Sequence, residues 1–133
     1  MRVADLMQTE VKSIAPDAPI LALVQTLADT RVSGLPVVDQ SSHVIGVVSA
    51  GDVLRASARL ADTEAKRDTL AEDTVRDIMS PTPYLISPDA DAREAAKHML
   101  YADVRRLFVE DEGKLVGVIS QTDIAQAVAT GRL

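Results

Sequence analysis

The chain has 133 residues, enough for one ordinary domain or two small packed halves, and 47% of them are hydrophobic, so a real core can form. Twenty acids against fourteen bases leave a net charge of −6 and a pI near 4.8, which repels a phosphate backbone and argues against nucleic acid as a partner. The lack of cysteine excludes disulfides and thiolate metal sites, and the two scattered histidines, His43 and His98, do not make a metal set. Aromatic residues are only 2% of the chain, so the core must be aliphatic. No apolar run approaches the roughly 20 residues of a membrane span, and the opening Met1-Arg2-Val3-Ala4-Asp5 does not read as a signal peptide, which points to a cytoplasmic protein.

In chain order, Asp5 is placed to cap a single helical turn, and a short extended run over Val11–Ile14 ends at Pro16. Ile20, Leu23, Val24 and Leu27 recur at helical spacing, which predicts a helix over Ile20–Thr30. Leu35–Val38 and Val44–Ser49 read as strands joined by a polar turn, and a second helix begins near Asp52. The charged, alanine-rich stretch that follows, Arg55–Thr74, reads as a helical connector with a thin apolar edge of Leu60, Ala61, Ala65 and Leu70.

The pattern then returns. Val75-Arg76-Asp77-Ile78-Met79 repeats Val3-Ala4-Asp5-Leu6-Met7 after 72 residues, and Ile86-Ser87-Pro88-Asp89-Ala90 repeats Ile14-Ala15-Pro16-Asp17-Ala18 at the same distance. A short run over Tyr84–Ile86 leads to helical spacing at Ala92, Ala95, Ala96, Met99 and Leu100, which predicts a helix over Ala92–Ala102. Strands over Leu107–Val109 and Leu115–Ser120 and a last helix near Asp123 follow, with the offset reduced to 71 by one residue lost in the polar turn. The expected fold is α/β of the α+β kind, two β-α-β-β-α repeats packed sheet to sheet about a pseudo-twofold axis. Its expected divisions are 1–56, a connector over 57–74, a second repeat over 75–129 and a tail over 130–133.

The closest internal match is Gly46–Asp52, Gly-Val-Val-Ser-Ala-Gly-Asp, with Gly117–Asp123, Gly-Val-Ile-Ser-Gln-Thr-Asp. Each places a serine and then an acid at the mouth of a helix. Backbone N–H groups there favour anions, the hydroxyl adds a donor, and the carboxylate can accept from a pair of sugar hydroxyls. The same residues also serve as plain helix caps, Ser49 and Ser120 at the N-cap and Asp52 and Asp123 in the first turn. Catalysis is not expected, because neither serine has a credible histidine partner and there is no cysteine nucleophile.

Val-Ser-Gly-Leu-Pro-Val-Val-Asp at 32–39, followed by Gly-Val-Val-Ser-x-x-Asp at 46–52 and introduced by Asp-Leu-Met and Ile-x-Pro-Asp-Ala, resembles a cystathionine-β-synthase (CBS) domain. The second repeat resembles the same domain, so the chain looks like a tandem pair, or Bateman module, with only the connector and last few residues outside the match. The resemblance implies a non-catalytic regulatory module. It would bind AMP, ADP, ATP or S-adenosylmethionine in clefts between the two motifs, form a homodimer and signal to a partner protein.

By that resemblance Asp52 and Asp123 would accept from ribose hydroxyls, and Ser49, Ser120 and Thr122 would contact phosphate. Lys12, Ser13 and Ile14 would lie along the base in one site, and Tyr84, Leu85 and Ile86 in the other. Val32, Gly34, Leu35 and Pro36 would form one aliphatic wall; Val104, Arg106, Leu107 and Phe108 would form the other. The sites differ: Arg55, three residues after Asp52, is placed to reach a phosphate where the second repeat has Gln126, and Arg105 and Arg106 bring basic charge that Ser33 and Gly34 do not. The alternative is an oligomerisation or interaction module of the same fold that binds no metabolite.

Overall fold

The computed structural model describes residues 1–58 and 72–133, and residues 59–71, which carry most of the expected connector, lie outside the described residues. The elements in chain order are α1 (Val3–Leu6), α2 (Ile20–Thr30), β1 (Gly34–Val38), β2 (Val44–Ser49), α3 (Ala50–Ala58), α4 (Val75–Ile78), β3 (Leu85–Ile86), α5 (Ala92–Ala102), β4 (Arg106–Asp111), β5 (Lys114–Ser120) and α6 (Gln121–Ala129). They fall into two compact units. One unit is Lys12–Pro83; the other joins Met1–Val11 to Tyr84–Leu133. The cuts therefore differ from those of the sequence repeat, because each repeat's opening segment belongs to the other repeat's unit.

In the Lys12–Pro83 unit, β1 and β2 form an antiparallel hairpin with Leu35 opposite Val48 and Gly34 opposite Ser49. Ile14 adds a parallel bridge to Val37 on one edge, and Ser80 pairs with Val47 on the other. Leu23, Leu27, Leu35, Val37, Val48 and Val75 share its core. Val75, which is fully buried, comes from the start of the second repeat, so that segment is part of the first unit's interior.

The other unit repeats the plan with one more paired strand. β4 and β5 form the hairpin, β3 pairs in parallel with β4, and Gln8 pairs with Val118 on the far edge. Val3, Ala95, Met99, Leu107, Val109 and Ile119 make its core, with Val3 in the place that Val75 takes in the first unit.

Two local differences between the units have chemical causes. The Phe108 N–H donates to the Tyr84 carbonyl at 3.0 Å, extending β3. Pro36 holds the matching position and has no N–H, so the expected strand over Val11–Ile14 shrinks to the single bridge at Ile14. The lost residue between the hairpin strands also changes the turn type. Glu112 and Gly113, both at positive φ, close β4–β5 as a two-residue turn, whereas the Asp39 carboxylate accepts from the Ser41 and His43 N–H groups to organise the longer first loop. In both units alike, the aspartates Asp5 and Asp77 cap a single helical turn from within it. They sit three residues inside one-turn helices and reach back to accept from the N–H of Arg2 (2.8 Å) and Thr74 (2.9 Å).

Of the expected apolar stripes, Ile20, Leu23 and Leu27 of α2 and Ala92, Ala95 and Met99 of α5 are buried. Val24 and Leu100 turn outward, at 40% and 75% exposure. Among the described residues no helix is long and apolar enough to cross a membrane.

The exchanged segments explain the glycines of the repeated motif. A Cβ on Gly46 would lie 2.6 Å from the Ser80 carbonyl oxygen and 2.8 Å from Met79 Sδ; on Gly117 it would lie 2.7 Å from Met7 Sδ and 2.8 Å from the Gln8 carbonyl oxygen. Backbone oxygens cannot move aside without breaking the edge pairing. Gly46→Ala and Gly117→Ala should each destabilise the protein by roughly 1–3 kcal/mol in urea unfolding. An unchanged unfolding midpoint in both variants would show that the edge segments are not held this closely.

Candidate functional site

Each hairpin's second strand runs directly into a helix, and the turn between them is built by a serine and an aspartate that bind one another. In the second unit Ser120 caps α6: its hydroxyl accepts from the Asp123 N–H at 3.1 Å, while Asp123 Oδ2 accepts from the Ser120 N–H at 2.8 Å. The first unit does the same at α3. There the Asp52 N–H donates to Ser49 Oγ at 3.3 Å, and Asp52 Oδ2 accepts from the Ser49 N–H at 2.8 Å and from its hydroxyl at 3.1 Å. Two orphan donors are satisfied at each helix start, and a carboxylate is held where the helix dipole favours negative charge.

The second carboxylate oxygen differs between units. Asp52 Oδ1 is bonded by the guanidinium of Arg55, one turn along α3. Asp123 Oδ1 accepts from the side-chain amide of Gln8 at 3.3 Å. Gln8 is a residue that the spacing of the repeat did not single out, since its place opposite Val118 follows from the segment exchange. Its counterpart 72 residues on, Ser80, pairs with Val47 in the same way.

A cavity of ≈ 310 Å³ opens at the second corner, and Gln8, Arg105, Arg106, Ser120, Thr122 and Asp123 are among its lining residues. Of the site residues expected from sequence, Arg106, Ser120, Thr122 and Asp123 are thus brought together. Gln121, also in the lining, donates through its side chain to the Val104 carbonyl at 3.1 Å, and the Gln121 N–H donates to the Arg105 carbonyl at 2.9 Å, which ties the approach of β4 to the start of α6. No ion pair is formed by Arg105 or Arg106 with a described residue, so their charge is available to an anion. Ser49, Asp52 and Arg55 lie together at the first corner.

The other expected residues are placed along the strands. Leu35, Pro36, Leu107 and Phe108 are buried, the last at 4% exposure, so their side chains contribute mainly to the interior. Ile14 is also buried, whereas Ser13 is exposed and Val32, Gly34, Ile86 and Val104 are half-buried. Tyr84 is 39% exposed and meets the His98 ring edge-on, with centroids 6.0 Å apart. Among the described residues no cluster of His, Asp and Glu could hold a metal ion.

Paired hairpin-and-helix units with a serine–aspartate corner in each define a duplicated domain pair. The chain belongs to the CBS domain family, whose model matches residues 3–59 and 75–130. It is 27% identical over 128 residues to the uncharacterized protein MJ1225 of Methanocaldococcus jannaschii, covering 96% of this chain and 43% of that protein, so it spans less than half of that relative. Its structure is similar to that of CBSX2 solved in complex with AMP, with a TM-score of 0.82 and 27% identity over 99% of this chain and 98% of that one. The CBS domain of a bacterial CNNM/CorC family Mg2+ transporter, solved in complex with ATP, has a TM-score of 0.81 and 26% identity over 97% and 87% of the two chains.

Both serines act as helix caps whatever else they do. Ser49→Ala and Ser120→Ala should each lower the stability of the ligand-free protein by about 1 kcal/mol, read from urea unfolding. A loss in neither variant would mean that the corners are not held by these bonds.

Proposed function

We propose that the chain is a non-catalytic regulatory module that binds an adenosine-containing nucleotide and reports its level to a partner protein. The observation that carries this reading is the cavity at the second corner, where a carboxylate stands beside two arginines, two hydroxyls and a helix start. A sugar with two hydroxyls and an anionic phosphate needs that combination: an acceptor for the sugar, and donors with positive charge for the phosphate. The AMP and ATP complexes of the two structural relatives support the same ligand class.

In this reading Asp123 accepts from the ribose, and Ser120, Thr122 and Arg106 face the phosphate. Tyr84 and Ile86 lie on the strand expected to flank the base, with Leu107 and Phe108 behind it. The first corner offers Asp52 and Ser49, with Ser13, Ile14, Val32, Gly34, Leu35 and Pro36 along its strands, and Arg55 becomes a phosphate ligand only by leaving Asp52. A homodimer is part of the same reading.

One observation favours the metabolite-free interaction module instead: in both corners each carboxylate oxygen already has a donor from the chain itself. Thermal unfolding with added AMP, ADP, ATP and S-adenosylmethionine separates the two. A ligand at about a hundred times its Kd should stabilise the protein by roughly 2.7 kcal/mol. Asp123→Asn should abolish the gain relative to its own ligand-free baseline. No shift with any of the four ligands would support the interaction module.

A further inference from the structure

The two corners are alike on one carboxylate oxygen and unlike on the other, and the difference is chemical. Oδ2 of Asp52 and of Asp123 accepts from the preceding serine N–H at 2.8 Å in both units. That oxygen is committed to holding the turn. Oδ1 is the oxygen outside that turn, and a sugar hydroxyl that leaves the turn bond undisturbed approaches it.

At the first corner Oδ1 is taken by the Arg55 guanidinium, a full positive charge that can only donate. A hydroxyl arriving there has to displace a charge-assisted hydrogen bond, and Asp52, at 15% side-chain exposure, has little water to compensate it. At the second corner Oδ1 meets the Gln8 amide at 3.3 Å, a long bond from an uncharged donor. An amide carries both donors and an acceptor, so it can remain beside the carboxylate while a hydroxyl donates to Asp123 Oδ1 and accepts from Gln8 Nε2.

The Gln8 backbone is fixed for this task. Its N–H donates to the Val118 carbonyl at 2.8 Å and its carbonyl accepts from the Val118 N–H at 2.9 Å, two residues before Ser120. The side chain is thereby delivered into the cavity that Arg105, Arg106 and Thr122 also line. Ser80 is anchored to Val47 by the same pair of bonds, at 3.0 and 2.8 Å, but carries only a short hydroxyl there.

We infer that Gln8 is a ribose-contacting specificity residue of the second corner and that Arg55 is an internal counter-ion closing the first, so that each chain takes its adenosine ligand at Asp123. The inference rests on the nucleotide-binding reading above and adds which corner is used and what makes it so.

Calorimetric titration of the full chain with AMP and with 2′,3′-dideoxy-AMP, on wild type, Gln8→Ala and Arg55→Ala, tests it. Expected for wild type is a single AMP per chain. Gln8→Ala should weaken AMP by about tenfold, the loss of one hydrogen bond to the sugar, while leaving dideoxy-AMP within about twofold. Arg55→Ala should add a second AMP equivalent. The dideoxy ligand also serves as the folding control, since a Gln8 variant that had merely lost structure would weaken both ligands equally. Equal weakening, no effect of Gln8→Ala, two wild-type equivalents, or failure of Arg55→Ala to add one would each overturn the inference while leaving nucleotide binding intact. Absence of AMP binding in all three proteins would instead overturn the nucleotide reading itself.

Discussion

The bond from a first-turn aspartate back to the N–H of its helix-capping residue is the constraint on which both corners depend. It occurs four times among the described residues, at Asp5, Asp52, Asp77 and Asp123. At α1 and α4 it serves helices of only four residues, which would not hold a turn unaided. At α3 and α6 it does more, because the strand leading in is anchored on its far edge and the helix leading out runs for nine residues. One oxygen is spent on geometry; the other is presented at a defined place. Function, in this reading, comes from the oxygen that local folding leaves over.

A second constraint sets where that oxygen is presented. Each hairpin's outer edge is closed by a segment from the opening of the other repeat, with Val3 and Val75 as its fully buried anchors. Burying a valine side chain contributes on the order of 1.5 kcal/mol or more, and each segment adds paired backbone bonds to Val118 or Val47. The glycines at 46 and 117 are the consequence, since anything larger would strike Met79 or Met7. At the second corner the same exchange carries Gln8 to Asp123, so a packing device also supplies a polar group to the candidate site.

Much of this was legible in the chain itself. The helices over Ile20–Thr30 and Ala92–Ala102 follow from apolar residues at helical spacing, and the hairpins follow from paired apolar runs around a polar turn with a one-residue indel. The Ser-x-x-Asp corners follow from their repetition. The segment exchange was not legible: an offset of 72 residues reveals that two stretches are alike but not which sheet edge each one closes. Gln8 was missed for the same reason, being remote in sequence from Asp123 and set beside it only by that pairing. Proline at 36 could have warned that the first parallel strand would be cut short, because the missing N–H is visible in the sequence. Leu35 and Phe108, matched by motif to a ligand wall, are both buried on their strands.

The most direct measurement is a crystal structure of the protein grown with AMP. Expected is density for a ribose whose hydroxyls lie within hydrogen-bonding distance of Asp123 Oδ1, with Oδ2 still held by the Ser120 N–H and the phosphate facing Arg105 and Arg106. An AMP seated away from Asp123, or an Asp123 Oδ1 still bonded only to Gln8 at saturating nucleotide, would contradict the assignment of that oxygen to the sugar.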